Sequence, residues 1–303
     1  MSETSGRERK TCLSAACRLS IATCHYASLV KFLLSLFIAI SCLWGYILYR
    51  PQLSWKTALL TSAIFSLACG AAALNNVQDR LFDLQFSRTR RRPLPSARVS
   101  RTAAIAIAAF HIGLGMIWLR WIAGDSFPFA LGLASIVLYN GIYTPLKKRT
   151  VLSMLPGAVC GMLPPYIGWL VAGGSGWNPV IGSAMLIVGL WQFPHFWLVL
   201  IHSDAEFSRS RYRNMLRLFS LRQLSRILAM WVVAMFAVVS CLPLIYRFRY
   251  MPIYWSIYAL GLGMLAIFTI SSFQSHVSVK PLFLLLNTFL LALMSGMIAD
   301  GLL

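Results

Sequence analysis

The chain is written almost entirely in long apolar runs. Nine of them, about 17 to 22 residues each, lie near 30–49, 57–76, 102–123, 127–143, 151–172, 180–201, 227–246, 252–273 and 281–301. A run of that length matches the ~20 residues a helix needs to cross a ~30 Å hydrocarbon layer. The pattern predicts an all-α, polytopic membrane helix bundle of about nine transmembrane helices. Polar positions gather in two long segments, 77–101 and 202–226, while the connections on the opposite side are short, as in "GDS" near 124 and "GGSGWNP" at 173–179. The long segments follow the second and sixth spans, an offset of four helices that suggests an internal pseudo-repeat. No linker divides the spans, so a tail over 1–28 and a single transmembrane domain over 29–303 are expected.

Composition sharpens this reading. The 303 residues are 58% hydrophobic and 12% charged, with mean hydropathy +0.71, which excludes a large soluble domain. A net charge of +19 on a soluble protein would point to nucleic acid. Here basic residues have a topological explanation, and no nucleic-acid partner is expected. With the N-terminus in the cytoplasm, 22 of the 27 Lys and Arg fall on the cytoplasmic side, leaving only Arg50, Lys56, Arg120, Arg247 and Arg249 outside. The bias predicts N-in and C-out. Seven cysteines without metal-type spacing read as small apolar fillers. The tail resembles neither a cleavable signal nor a transit peptide, because Glu3 and Glu8 interrupt it.

Only eight acids occur, and four of them form two close pairs at the ends of apolar runs: Asp79 with Asp83, and Asp204 with Glu206. If the second span continues helically through "NNVQDRLFD", Asn75, Asp79 and Asp83 are spaced i, i+4, i+8. They then share about an 80° arc along roughly 12 Å of helix. An amide oxygen and two carboxylates on one face suit Mg²⁺, which prefers hard oxygens and commonly shares them with phosphates. Arg80, Arg88, Arg90, Arg91 and Arg92 follow at once, and guanidinium forks match phosphate. The competing reading is that the aspartates merely pair with loop arginines at a solvated helix end. Acids are otherwise scarce in the spans, and polar groups at the edge of a membrane bundle are by default functional. The pattern therefore favours a carboxylate–magnesium–diphosphate–arginine site.

"NNVQDRLFDLQFSRTRRRPL" resembles the N-x-x-x-D-x-x-x-D and R-T-x-x-R-P motifs of the UbiA-type intramembrane prenyltransferases. The similarity extends through "YNGIYTPLKKRTVLSMLPGAVCGMLPPYIGW" (139–169) and "LWQFPHFWLVLI" (190–201), where it is to the protoheme IX farnesyltransferase branch. The resemblance implies a UbiA-like fold and transfer of a farnesyl group from farnesyl diphosphate to a vinyl group of heme b, with Mg²⁺ as cofactor. It implies Asp79, Asp83 and Asn75 as catalytic and metal-holding residues. Arg88, Arg92, Lys147 and Lys148 would bind diphosphate, and His195, Gln192 and Tyr143 would face the heme acceptor. It also implies residence in a bacterial cytoplasmic membrane, with the mitochondrial inner membrane less favoured by the short tail, and a downstream heme-modifying enzyme or oxidase assembly as partner.

The chain departs from the branch after Phe196. Glu206–Phe207 stands where Asp–Tyr is expected, and "RYRNM" replaces a Gly-Ile-Pro stretch. By resemblance Asp204 and Glu206 would hold a second metal or order a capping loop, and the departures bear on that shell and on acceptor choice. His195, after Pro194, has two readings: by resemblance a heme contact, since neutral imidazole coordinates iron, or a hydrogen-bonding group in a bent helix. His111 and His202 read as structural. Tyr143, Lys147, Lys148 and Arg149 also fit as topological anchors. Two other functions compete: a related prenyltransferase with a quinone-precursor, chlorophyll-like or sugar-phosphate acceptor, and a transporter whose acids carry ions. Against the transporter, the acids lie at helix ends rather than at mid-bilayer.

Overall fold

The computed structural model describes residues 15–87, 89–202, 219–274 and 278–303. Among these there are ten long helices and no strands, and nine of the helices are long and apolar enough to cross a membrane. The first, α1 (Ala15–Leu29), occupies the second half of the stretch expected to be a plain tail. The spans are α2 (Phe32–Tyr49), α3 (Trp55–Asp83), α4 (Arg101–Ala123), α5 (Ser126–Ile136, extended to Leu146), α6 (Met154–Val171), α7 (Pro179–His202), α8 (Leu221–Ser240), α9 (Met251–Phe273) and α10 (Val279–Leu302).

Helix α3 sets the position of the site. It starts on a capping box, in which the Ser54 side chain accepts from Thr57 N while Thr57 Oγ1 accepts from Ser54 N. It then runs unbroken for 29 residues. At 1.5 Å per residue that is about 43 Å, longer than the ~30 Å hydrocarbon layer. Twenty residues, as in Trp55–Leu74, are enough to cross the layer, which leaves length for Asn75 to Asp83 at its edge. The helix stops where its last carbonyl is taken by a side chain: Thr89 Oγ1 donates to Asp83 O at 2.8 Å.

α5 does not continue as a regular helix. Val137–Tyr143 forms a π-helical turn, with Thr144 N donating to Tyr139 O five residues back. Pro145 follows and has no N–H to extend an i−4 ladder. Single π turns of this kind recur at functional sites. The turn lets Asn140 reach α3, where its Nδ2 donates to Ala71 O at 3.0 Å and to Gln78 Oε1 at 3.1 Å.

α2 sits centrally, against α3, α6 and α10, while α4 covers α3 on the far side and α8 and α9 pack beyond α7. The α2–α6 contact is backbone on backbone. A Cβ on Gly45 would lie 1.8 Å from Pro165 O, and one on Gly168 would lie 2.0 Å from Cys42 O. Small residues that allow such approach are what hold membrane helices together, since lipid provides no hydrophobic drive between them. Elsewhere, His111 of α4 ties three helices: its Nδ1 pairs with Ser66 Oγ of α3 at 2.9 Å and its Nε2 with Tyr26 Oη of α1 at 2.5 Å.

Candidate active site

The three polar residues at the end of α3 face inward, as the i, i+4, i+8 spacing requires. Asn75, Asp79 and Asp83 are 0%, 2% and 4% exposed. Among the described residues, four cations surround them. Lys147 Nζ pairs with Asp79 Oδ2, Lys148 Nζ lies 3.1 Å from Asp79 Oδ1, and Arg92 Nη1 donates to Asp83 Oδ2 at 2.9 Å. The fourth, Lys31, donates to Asn75 Oδ1 at 2.6 Å.

Each cation arrives by a local device. Arg92 is carried back to the helix end by a loop whose Phe86 and Leu94 are buried. Lys147 and Lys148 follow the π turn, and Lys148 Nζ also donates to Gln78 O at 2.7 Å. Lys31 sits between α1 and α2 with φ 48° and ψ 54°. That left-handed conformation costs a residue with a side chain about 1 kcal/mol. It is held by α3, because Asn76 Nδ2 donates to Leu29 O at 2.6 Å beside the Lys31–Asn75 bond. Burial, together with Lys147 and Arg92, pulls the Lys31 ammonium down to about 7, against the opposite pull of Asp79 and Asp83. Burial likewise lowers Lys147, with Asp79 opposing it.

The orientation of Asn75 is fixed by its partners. The Lys31 ammonium only donates, so the Asn75 oxygen faces it when the lysine is charged. Its Nδ2 then donates to Asp79 Oδ2 at 3.0 Å and to Thr144 Oγ1 at 2.9 Å. Thr144 accepts there because its hydroxyl proton goes to Tyr139 O. The expected row of three oxygens is therefore two carboxylates and an amide that turns its nitrogen to the first of them. Lys31 and Thr144 were not singled out by sequence reasoning. The visible signal for Lys31 was a lone cation opening the first apolar run, "SLVKFLLSLF".

Does a magnesium ion fit? Asp79 Oδ1 is buried without a hydrogen-bond partner, despite the nearby Lys148 ammonium. Paired with Lys148 by charge but not by a hydrogen bond, this carboxylate oxygen keeps a lone pair suitable for a hard cation. Among the described residues no group of three or more His, Cys, Asp or Glu gathers to enclose a metal. That donor set fits an ion completed by phosphate oxygens and water rather than a closed protein cage.

Below the charged cluster lies a cavity of about 260 Å³, walled by α2, α3, α5, α6 and α7 and mainly apolar. Tyr143 connects the two regions: its ring lines the cavity, stacks on Tyr139 at 5.4 Å, and has Lys147 Nζ 5.5 Å from its centroid. Gln192 and His195, on α7, line the same cavity. Gln192 lies directly over Gly161, where a Cβ would come 1.7 Å from its Nε2. His195 is set between Trp191 and Phe283, with ring centroids 4.5 and 4.8 Å away. Helix α7 continues through Pro194 without a break. Arg80, Arg90 and Arg91 are exposed. Arg88, Asp204 and Glu206 lie outside the described residues, as does the side chain of His202.

Carboxylates and ammonium groups at the rim of an apolar chamber form an intramembrane site for a molecule with a charged head and a greasy tail. The family model for the UbiA prenyltransferase family matches residues 38–296, and the chain belongs to that family. It is 39% identical over 172 residues to a protoheme IX farnesyltransferase of Oleidesulfovibrio alaskensis, a match covering 57% of this chain and 61% of that one. It is 31% identical over 221 residues to the protoheme IX farnesyltransferase of Nitratidesulfovibrio vulgaris, covering 72% and 75%. Among solved structures, a UbiA homologue from Archaeoglobus fulgidus bound to GPP and Mg²⁺ superposes with a TM-score of 0.71 at 16% identity, covering 91% of this chain and 98% of that one. A structure concerning digeranylgeranylglyceryl phosphate synthase superposes at 0.70 with 12% identity, covering 92% and 98%. The expected membrane bundle is thus the UbiA fold, and the chain is an enzyme of prenyl transfer.

Proposed function

We propose that this chain transfers the farnesyl group of farnesyl diphosphate to a vinyl group of protoheme IX, giving heme o and diphosphate. The observation that carries the reading is the junction at Tyr143, where a charged cluster fit for diphosphate meets an apolar cavity that also contains an imidazole. The named relatives support the same acceptor. The allylic C–O bond breaks with its electron pair on diphosphate. Carbon 1 of the farnesyl group bonds to the outer vinyl carbon, and water adds its oxygen to the inner one and releases a proton.

Asp79 and Asp83 would hold Mg²⁺, with Asn75 beside them. Bound there, magnesium withdraws charge from the leaving oxygen. Lys31, Lys147, Lys148 and Arg92 supply fixed positive charge for the departing diphosphate in a site largely shielded from water. The apolar walls hold the isoprenoid chain and keep bulk water from the allylic cation. Arg88 joins the diphosphate cations, and Asp204 and Glu206 supply a second carboxylate pair. The bias of basic residues in the loops supports a charged end in the cytoplasm, of a bacterial inner membrane, with the C-terminus outside. A heme-modifying enzyme or an oxidase in assembly would take the product.

The test uses membranes containing the chain, supplied with heme b, farnesyl diphosphate and Mg²⁺, and mass spectrometry of the extracted hemes. Heme o should form, and should disappear with Asp83→Ala or with chelator. Unchanged heme b, in membranes where a reference enzyme works, refutes the acceptor. Undiminished product from Asp83→Ala refutes the metal assignment.

A further inference from the structure

Among the described residues His195 makes one hydrogen bond, from Nδ1 to Asn287 Oδ1 at 3.2 Å. Which ring nitrogen carries the proton follows from the neighbour beyond it. The Asn287 amide nitrogen donates to Phe283 O at 2.5 Å. A backbone carbonyl only accepts, so this bond fixes the Asn287 amide with its oxygen toward the imidazole. An amide oxygen also only accepts, so His195 Nδ1 must be the donor. In the neutral ring, Nε2 is then left with its lone pair. Nε2 has no hydrogen-bond partner among the described residues, and the ring lines the cavity while two aromatic neighbours fix its plane.

We propose that Asn287 is a positioning residue that locks His195 in the Nδ1–H tautomer, so that Nε2 faces the cavity as an axial ligand for the iron of a porphyrin substrate. This rests on the heme reading above and goes beyond it by naming the ligating atom and the residue that prepares it. An imidazole that ligates iron through one nitrogen typically donates its other N–H to a carbonyl or carboxylate, and such an outer partner is worth 10–100-fold in metal affinity. Asn287 stands in that place. It comes from α10, whereas His195 is on α7, so the pair also ties the orientation of the ligand to the packing of two helices. Ligation would hold the macrocycle at one depth and azimuth in the cavity, and with it the vinyl group that must meet the farnesyl carbon.

The test titrates ferric protoporphyrin IX into the full chain in lipid nanodiscs, reading the Soret band and the low-temperature electron paramagnetic resonance spectrum. Heme o formation is assayed on the same preparations. The wild type should show nitrogenous axial ligation that is lost in His195→Ala. Asn287→Leu should weaken heme binding about 10- to 100-fold, and Asn287→Asp, which keeps the acceptor, should retain ligation. In the His195→Ala background, Asn287→Leu should have no further effect on heme binding; a purely structural role would give the same loss with or without His195. The proposal is overturned if Asn287→Leu leaves affinity and ligand signature unchanged, or if its effect persists without His195. Heme o made without any His195-dependent signature overturns it and leaves the farnesyltransferase reading standing. His195-dependent ligation that responds to Asn287, without heme o formation, supports it and refutes that reading instead.

Discussion

Replacing Asp79 by asparagine keeps its shape and removes one of the two negative charges that face four basic side chains. The carboxylate is 3% exposed and faces Lys147 and Lys148, whose side chains are 20% and 25% exposed. At 3.1 Å, the distance to Lys148, the gross attraction is about 5 kcal/mol for an effective dielectric near 20, and desolvation cancels most of it. Breaking a buried pair by removing one partner costs about 3–5 kcal/mol, because the remaining charges stay buried and uncompensated. The residual water contact of the lysines places Asp79→Asn near the lower limit, about 3 kcal/mol. Lys147→Met should cost about 1 kcal/mol, since Lys148 still faces the carboxylate. The double variant should be less stable than wild type by about 1–2 kcal/mol, a non-additivity of at least ~2 kcal/mol. Reversible unfolding by SDS in mixed micelles measures all four corners of this cycle. Additive effects, or an Asp79→Asn protein within about 0.5 kcal/mol of wild type, would show that the lysines do not depend on that carboxylate and would refute the electrostatic account of the cluster.

Other consequences are simpler. Lys31→Met should raise the KM for farnesyl diphosphate about 10-fold, the worth of one charge-assisted contact; steady-state kinetics check it, and an unchanged KM removes Lys31 from the diphosphate site. Gly168→Ala forces a Cβ to within 2.0 Å of Cys42 O, a backbone atom, and should lower the unfolding free energy by about 1–3 kcal/mol. Gly182→Ala, with nothing within 4 Å, serves as its control in the same SDS titration and should be neutral. Asp300 accepts from Tyr246 Oη at 3.1 Å, Arg249 N at 3.1 Å and Tyr250 N at 2.8 Å while fully buried. Asp300→Asn should therefore cost about 2 kcal/mol of stability, seen as a lower thermal midpoint in detergent, and leave heme o formation at low temperature unchanged.

Several features were legible in the amino-acid order because they depend on local periodicity. Nine apolar runs give, among the described residues, nine helices long enough to cross, since the thickness of hydrocarbon sets the length of a helix that crosses it. Asn75, Asp79 and Asp83 share a buried face because 100° per residue leaves them no alternative once α3 stays helical. What the order could not show is which distant groups meet them. Lys31 lies 44 residues from Asn75 and Lys147 lies 68 from Asp79, and they converge only because α2 and α5 pack beside α3. Spacing shows that Asn75 shares the face of the two aspartates, but not that its oxygen accepts from Lys31 while its nitrogen turns to Asp79. The π turn before Pro145 and the left-handed Lys31 are also tertiary choices, each a local cost met by contacts to α3. His195 shows the division most plainly. Its place on α7 is written in the sequence, but its free nitrogen is set by Asn287, 92 residues away, through a hydrogen bond that exists only once α7 and α10 are packed.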